Sequence, residues 1–166
     1  MDNDASKIFA TSGAYSESAW PFMTPPNETD LSNLKNRGAK LIVYHGTSDP
    51  VFSSDDTTDW YQRLSTANGG DASNFARFYT VAGMNHCSGG PAADQFDMLT
   101  PMVAWVENGQ APDRVIATAR DASNALPNSE VPAEWGAGRT RPLCPYPKFA
   151  RYTNGDVNSA SSFACS

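Results

Sequence analysis

A chain of 166 residues, 40% hydrophobic and 18% charged, is long enough to bury a core and too apolar to be disordered. Its formal net charge of −6 and its lack of any basic run exclude attraction to nucleic acid or to an anionic membrane surface. No apolar run approaches a membrane span, and the acidic start Met1-Asp2-Asn3-Asp4 is not a signal peptide, so an export signal of the parent protein is expected upstream.

Residues 1–38 show no strong periodicity. Pro21, Pro25, Pro26 and Asn27 punctuate them, and Asp30 to Lys35 reads as a short capped turn. Lys40 to Gly46 (KLIVYHG) is a continuous apolar run closed by glycine, the pattern of a strand buried on both faces. A helix is predicted over Asp55 to Thr66, capped by Ser54 or Asp55, with acids in its first turn. Trp60, Tyr61 and Leu64 form its apolar stripe, and Gly69-Gly70 ends it. Phe75 to Val81 is a second strand, closed by Gly83. A second helix is predicted over Ala92 to Asn108, with Phe96, Leu99, Met102, Val103 and Val106 facing inward, Pro101 kinking it and Gly109 stopping it. Arg114 to Ala119 is a third, shorter strand, and from Asp121 onward the chain is loop-rich.

Strand, helix, strand, helix predicts an α/β fold with parallel strands and flanking helices. The chain divides into an irregular segment 1–38 (the end of a lid or linker), an α/β core 39–120 and a tail 121–166. Two βα units are too few for a complete sheet, so the sheet is expected to continue in sequence outside this chain.

Three cysteines, Cys87, Cys144 and Cys165, leave at least one without an intrachain partner. Reduced, buried thiols in a cytosolic protein are one reading. Against it, Cys144 and Cys165 lie in a tail rich in Pro, Gly, Asn and Ser that needs a covalent tie to stay ordered. A Cys144–Cys165 disulfide is expected, worth on the order of 3 kcal/mol, and with it an oxidising compartment, secreted or periplasmic.

Asp49 falls just past the end of the first strand and His86 just past the end of the second. Loops at the carboxyl ends of parallel strands share the face where ligands and catalysis gather. Asp followed by His is also the chain order of α/β-hydrolases, whose serine comes earlier. In that chemistry the carboxylate orients the imidazole and stabilises its cation, while the imidazole shuttles the proton. The bland readings stand beside it: Asp49 before Pro50 suits a turn, and His86 beside Gly83 suits a loop histidine. His45 at the first strand's end is an outer partner of the pair, a lining residue, or a buried structural histidine. No Gly-x-Ser-x-Gly is present. Ser88, in Cys87-Ser88-Gly89-Gly90, looks superficially like a nucleophile turn but abuts the base in sequence. No histidine or cysteine spacing points to a metal site.

Four segments, KLIVYHGTSDP, VAGMNHCSGGP, MLTPMVAWVENGQAPDRVIATA and RTRPLCPYPKFARYTNGDVNSASSFAC, resemble the C-terminal third of the tannase and feruloyl esterase family. The resemblance implies a partial α/β-hydrolase core with a large lid inserted ahead of it. It implies Asp49 as triad acid, His86 as base, and Cys144 with Cys165 as the family's C-terminal disulfide. Cys87 matches the cysteine that, in the family, bonds a cysteine beside the nucleophilic serine. The nucleophile, oxyanion donors, lid and lid calcium site have no counterpart here, so no cofactor is expected in this chain. The expected function is therefore the acid–base portion of an enzyme cleaving feruloyl- or galloyl-type aromatic esters. The alternative is a non-catalytic truncated product, or a small subunit tied through Cys87 to a nucleophile-bearing chain.

Overall fold

The computed structural model describes residues 6–166; the acidic start read above as no signal peptide lies outside them. After a 3-10 turn at Ser6–Phe9 come two short helices, α1 (Ala19–Met23) and α2 (Ser32–Asn36). The organising element is a parallel pair, β1 (Leu41–Gly46) and β2 (Ala76–Val81), in register from Leu41–Ala76 to Gly46–Val81. α3 (Ser54–Ala67) makes the crossover. Ser53 caps it by accepting from the Asp55 amide at 3.1 Å, one residue earlier than expected, and Asp55 and Asp56 occupy the positive end of its dipole.

Strand alternation sends side chains to two cores. Ala76 and Phe78 join Tyr61 and Leu64 of α3, together with Ala72 and Phe75. Tyr79 and Val81 join Met84, Ala92, Ala93, Val115 and Leu143 on the other face. Leu41 and Val43 flank the first core and Ile42 the second, the same alternation read from β1.

Three expectations change. β1 is not buried on both faces: Leu41 to Val43 are half-buried and Tyr44 is exposed, because only β2 pairs with it among the described residues. The helix predicted from Ala92 is the shorter α4 (Leu99–Asn108). Asp97 starts it there, its Oδ1 accepting from the amides of Leu99 at 2.8 Å and Thr100 at 3.1 Å. Pro101 thus falls in the first turn, where a backbone N–H has no helical partner to lose, and causes no kink. Only Trp105 of α4 is buried; Leu99, Val103 and Val106 are exposed, since no described element covers that face. Finally, β3 (Val115–Thr118) does not extend the parallel pair. It runs antiparallel to β4 (Thr140–Leu143).

The tail also forms an antiparallel pair, β5 (Ala150–Tyr152) with β6 (Phe163–Cys165), and the expected Cys144–Cys165 disulfide closes it. It reaches back to the parallel sheet, where the Tyr146 amide donates to the Phe78 carbonyl at 2.7 Å along the outer edge of β2. No helix among the described residues is long and apolar enough to cross a membrane.

Candidate active site

The loops leaving β1 and β2 are laced together by backbone amides. The Ser48 amide donates to the Met84 carbonyl at 3.1 Å, and the Gly83 amide donates to Thr47 Oγ1 at 3.0 Å. Gly46 makes this approach possible. A Cβ there would sit 2.1 Å from the Met84 carbonyl oxygen, so no side chain fits.

This lacing brings Asp49 and His86 together. Asp49 Oδ2 lies 2.8 Å from His86 Nδ1. Its other oxygen, Oδ1, accepts from the amides of Val51 at 2.8 Å and Phe52 at 3.0 Å, which fixes the carboxylate plane. A carboxylate only accepts, so His86 Nδ1 carries the proton, and in the neutral ring Nε2 keeps its lone pair. The Asp49 side chain is 4% exposed and that of His86 46%. Burial pushes the Asp49 carboxyl up, but hydrogen bonds from His86, Phe52 and Val51 and the charge of His86 outweigh it. The carboxyl is held well below the usual carboxylate range. The Phe52 ring packs against His86 with centroids 5.5 Å apart.

His45 joins the same carboxylate from within β1, its Nε2 3.2 Å from Asp49 Oδ2. Nδ1 of His45 lies 2.7 Å from Thr57 Oγ1 on α3. In the neutral ring Nε2 therefore donates to Asp49 and Nδ1 accepts from the Thr57 hydroxyl. The result is a chain Thr57–His45–Asp49–His86, of which Thr57 was not legible in the sequence.

Cys87 is exposed and free, with φ at +67°, a left-handed backbone uncommon for a residue with a side chain. Ser88 follows it on the same exposed turn and makes no hydrogen bond to His86. The rest of that turn is gripped from behind by acids. The Gly89 amide donates to Asp94 Oδ2 and the Gly90 amide to Glu130 Oε2, each at 2.7 Å. Asn128 Nδ2 donates to the Gly90 carbonyl at 2.8 Å. The Asp94 side chain is fully buried and receives Arg120 through Nε at 3.0 Å and Nη2 at 2.5 Å. Sequence reading missed Asp94, Arg120, Asn128 and Glu130, because lone charged or polar residues in loops carry no motif. Among the described residues no group of three or more His, Cys, Asp or Glu is placed to hold a metal ion.

Residues 22–166 match the family model for tannase and feruloyl esterase, and the chain belongs to that family. It is 51% identical over 169 residues to a mono(2-hydroxyethyl) terephthalate hydrolase of Piscinibacter sakaiensis, covering 99% of this chain and 26% of that protein. A probable feruloyl esterase of Arthroderma benhamiae is 37% identical over 140 residues, covering 82% of this chain and 24% of the relative. The crystal structure of feruloyl esterase B from Aspergillus oryzae superposes with a TM-score of 0.66 at 28% identity, over 83% of this chain and 29% of that one. The chain thus spans about a quarter of the length of the curated relatives it matches.

Proposed function

We propose that this chain is the acid–base portion of a Ser-His-Asp carboxylester hydrolase acting on aromatic esters of the feruloyl or galloyl type. The observation that carries the reading is the Asp49–His86 contact of 2.8 Å, with the second carboxylate oxygen held by two amides. β1, β2 and α3 are read as part of an α/β-hydrolase core whose nucleophile and oxyanion donors come from sequence beyond these residues.

His86 Nε2 takes the proton of the attacking serine and later delivers it to the leaving alkoxide. Asp49 keeps Nδ1 protonated and stabilises the imidazolium as it forms. His45 is a positioning residue: it gives Asp49 Oδ2 a second donor and is itself oriented by Thr57. Cys87, exposed beside the base, is read as pairing with a cysteine next to the nucleophile, in an oxidising, extracytoplasmic compartment. If that cysteine lies on a separate polypeptide, the chain is a subunit of a two-chain enzyme.

The test uses methyl ferulate. The 166-residue chain alone is expected to give no turnover, with Ser88→Ala equally silent. In the parent reading frame, Asp49→Asn is expected to lower kcat by about 10⁴-fold, as in other triads. Turnover by the chain alone that vanishes in Ser88→Ala would make Ser88 the nucleophile and overturn the reading.

A further inference from the structure

A cavity of 460 Å³ lies beyond β2 on the tail side, and it falls within the range of roughly 300–1,000 Å³ that small-ligand pockets take. Its walls come from the end of β2, from Gly83, Pro91 and Ala93 at the base of the turn that carries His86, from β4 and from the segments around β5 and β6, with none of β1, α3, Asp49 or His86 itself. Strand addition at the open edge of β1 would therefore leave it free.

Three cations line it, Arg139, Arg141 and Lys148, and no acid does. Arg139 lies over the Trp135 ring at 4.1 Å and Arg141 over Phe163 at 4.2 Å, so aromatic faces hold both guanidinium planes. The Arg139 guanidinium makes one hydrogen bond, to Asn158 Oδ1 at 3.3 Å, and that of Arg141 one, to the Thr140 carbonyl at 2.7 Å. Each guanidinium offers five N–H donors, and neither has a carboxylate within salt-bridge distance among the described residues. Burial and then the neighbouring charge of Arg139 both disfavour the charged Arg141, with Asp156 offsetting them in part. Two half-buried like charges with spare donors are a standing demand for an anion. Leu143, Val81 and Phe149 supply apolar wall beside them.

We propose that this cavity is a binding site for a small aromatic carboxylate, its carboxylate taken by the free edges of Arg139 and Arg141 and its ring set against Leu143 and Phe149. The site stands on its own geometry and does not depend on the hydrolase reading.

The test is amide chemical-shift titration of the 166-residue chain with benzoate, methyl benzoate and acetate. Benzoate is expected to bind saturably, shifting residues around Leu143, Phe149 and Phe163. Acetate, which lacks the ring, should bind at least ten-fold more weakly, and methyl benzoate, which lacks the charge, should not bind there. Arg139→Gln should weaken benzoate at least ten-fold. Arg141→Lys, which keeps the charge over Phe163 but loses the fork, should weaken it less. Lys148→Gln leaves both ring stacks untouched and reports on the charge field if Arg139→Gln fails to fold. Equal binding of benzoate and its methyl ester would overturn the site. So would benzoate shifts confined to the Asp49–His86 region, or an affinity unmoved by both Arg139→Gln and Lys148→Gln.

Discussion

Two strands of one sheet meet different surroundings on their outer sides. Beyond β2, Tyr146 pairs with Phe78, the disulfide closes the tail, and Asp94, Asn128, Arg120 and Glu130 occupy the polar groups of the Gly89-Gly90 turn. Beyond β1 no described strand pairs, Tyr44 is exposed, and Leu99, Val103 and Val106 of α4 face solvent. Among the described residues the demands of the His86 side are met, whereas those of the β1 side are not. Asp49 and His86 sit at the boundary between the two: Asp49 is held from the β1 side by His45 and the Val51 and Phe52 amides, and the turn that carries His86 is held from the other.

The sharpest way to break that contrast is Arg120→Ala. It strands a fully buried Asp94 carboxylate, and removing one partner of such a pair costs roughly 3–5 kcal/mol. Urea unfolding that moves by less than 1 kcal/mol would mean that the His86 turn is braced by something else. The double change Cys144→Ser and Cys165→Ser opens a closure spanning 21 residues. A loss of about 3 kcal/mol is expected, readable in the same titration. Gly46→Ala drives a methyl into the Met84 carbonyl. It is expected to cost roughly 1–3 kcal/mol and to broaden or shift the imidazole resonances of His86, since the two loops must part.

On the β1 side, Leu99→Gln and Val103→Ser are expected to change stability by no more than about 0.5 kcal/mol. A loss well above that would show the α4 face to be covered. The smallest effect is in acid. Hydrogen bonds from Ser123 and the Gly138 amide push the Asp121 carboxyl down to about 2. A depressed folded value stabilises the fold above the unfolded value of about 3.9. That contribution fades as pH falls from there through about 2. Asp49, also depressed, adds in the same direction. Asp121→Asn should flatten the slope of stability against pH between 4 and 2; an unchanged slope would remove Asp121 from the account.

Glycine-closed runs six or seven residues long made β1 and β2 legible, and an apolar stripe behind an acidic first turn made α3 so. The pairing of Asp49 with His86 was suggested by their places at successive strand ends and by the family resemblance together. α4 was drawn too long because Ala92, Ala93 and Phe96 are apolar for core packing, not for helix formation, and Asp97 sets the true start. Its stripe recorded amphipathy without recording what covers it. β4 to β6 span only three or four residues each, too short for a period of two to register. Thr57, Asp94 and Glu130 act across separations of 12, 5 and 40 residues, which only the folded chain brings to hand.

The hydrogen bond from Tyr146 to Phe78 has a consequence for how copies of this chain meet. A sheet with two bare edges can be extended without end, one molecule after another. With the middle of the β2 edge met by the tail at Phe78 and Tyr79, the edge left open among the described residues is that of β1. Two copies joined through it leave nothing on the sheet for a third. Edge-to-edge association of this chain through the parallel sheet is therefore expected to stop at pairs.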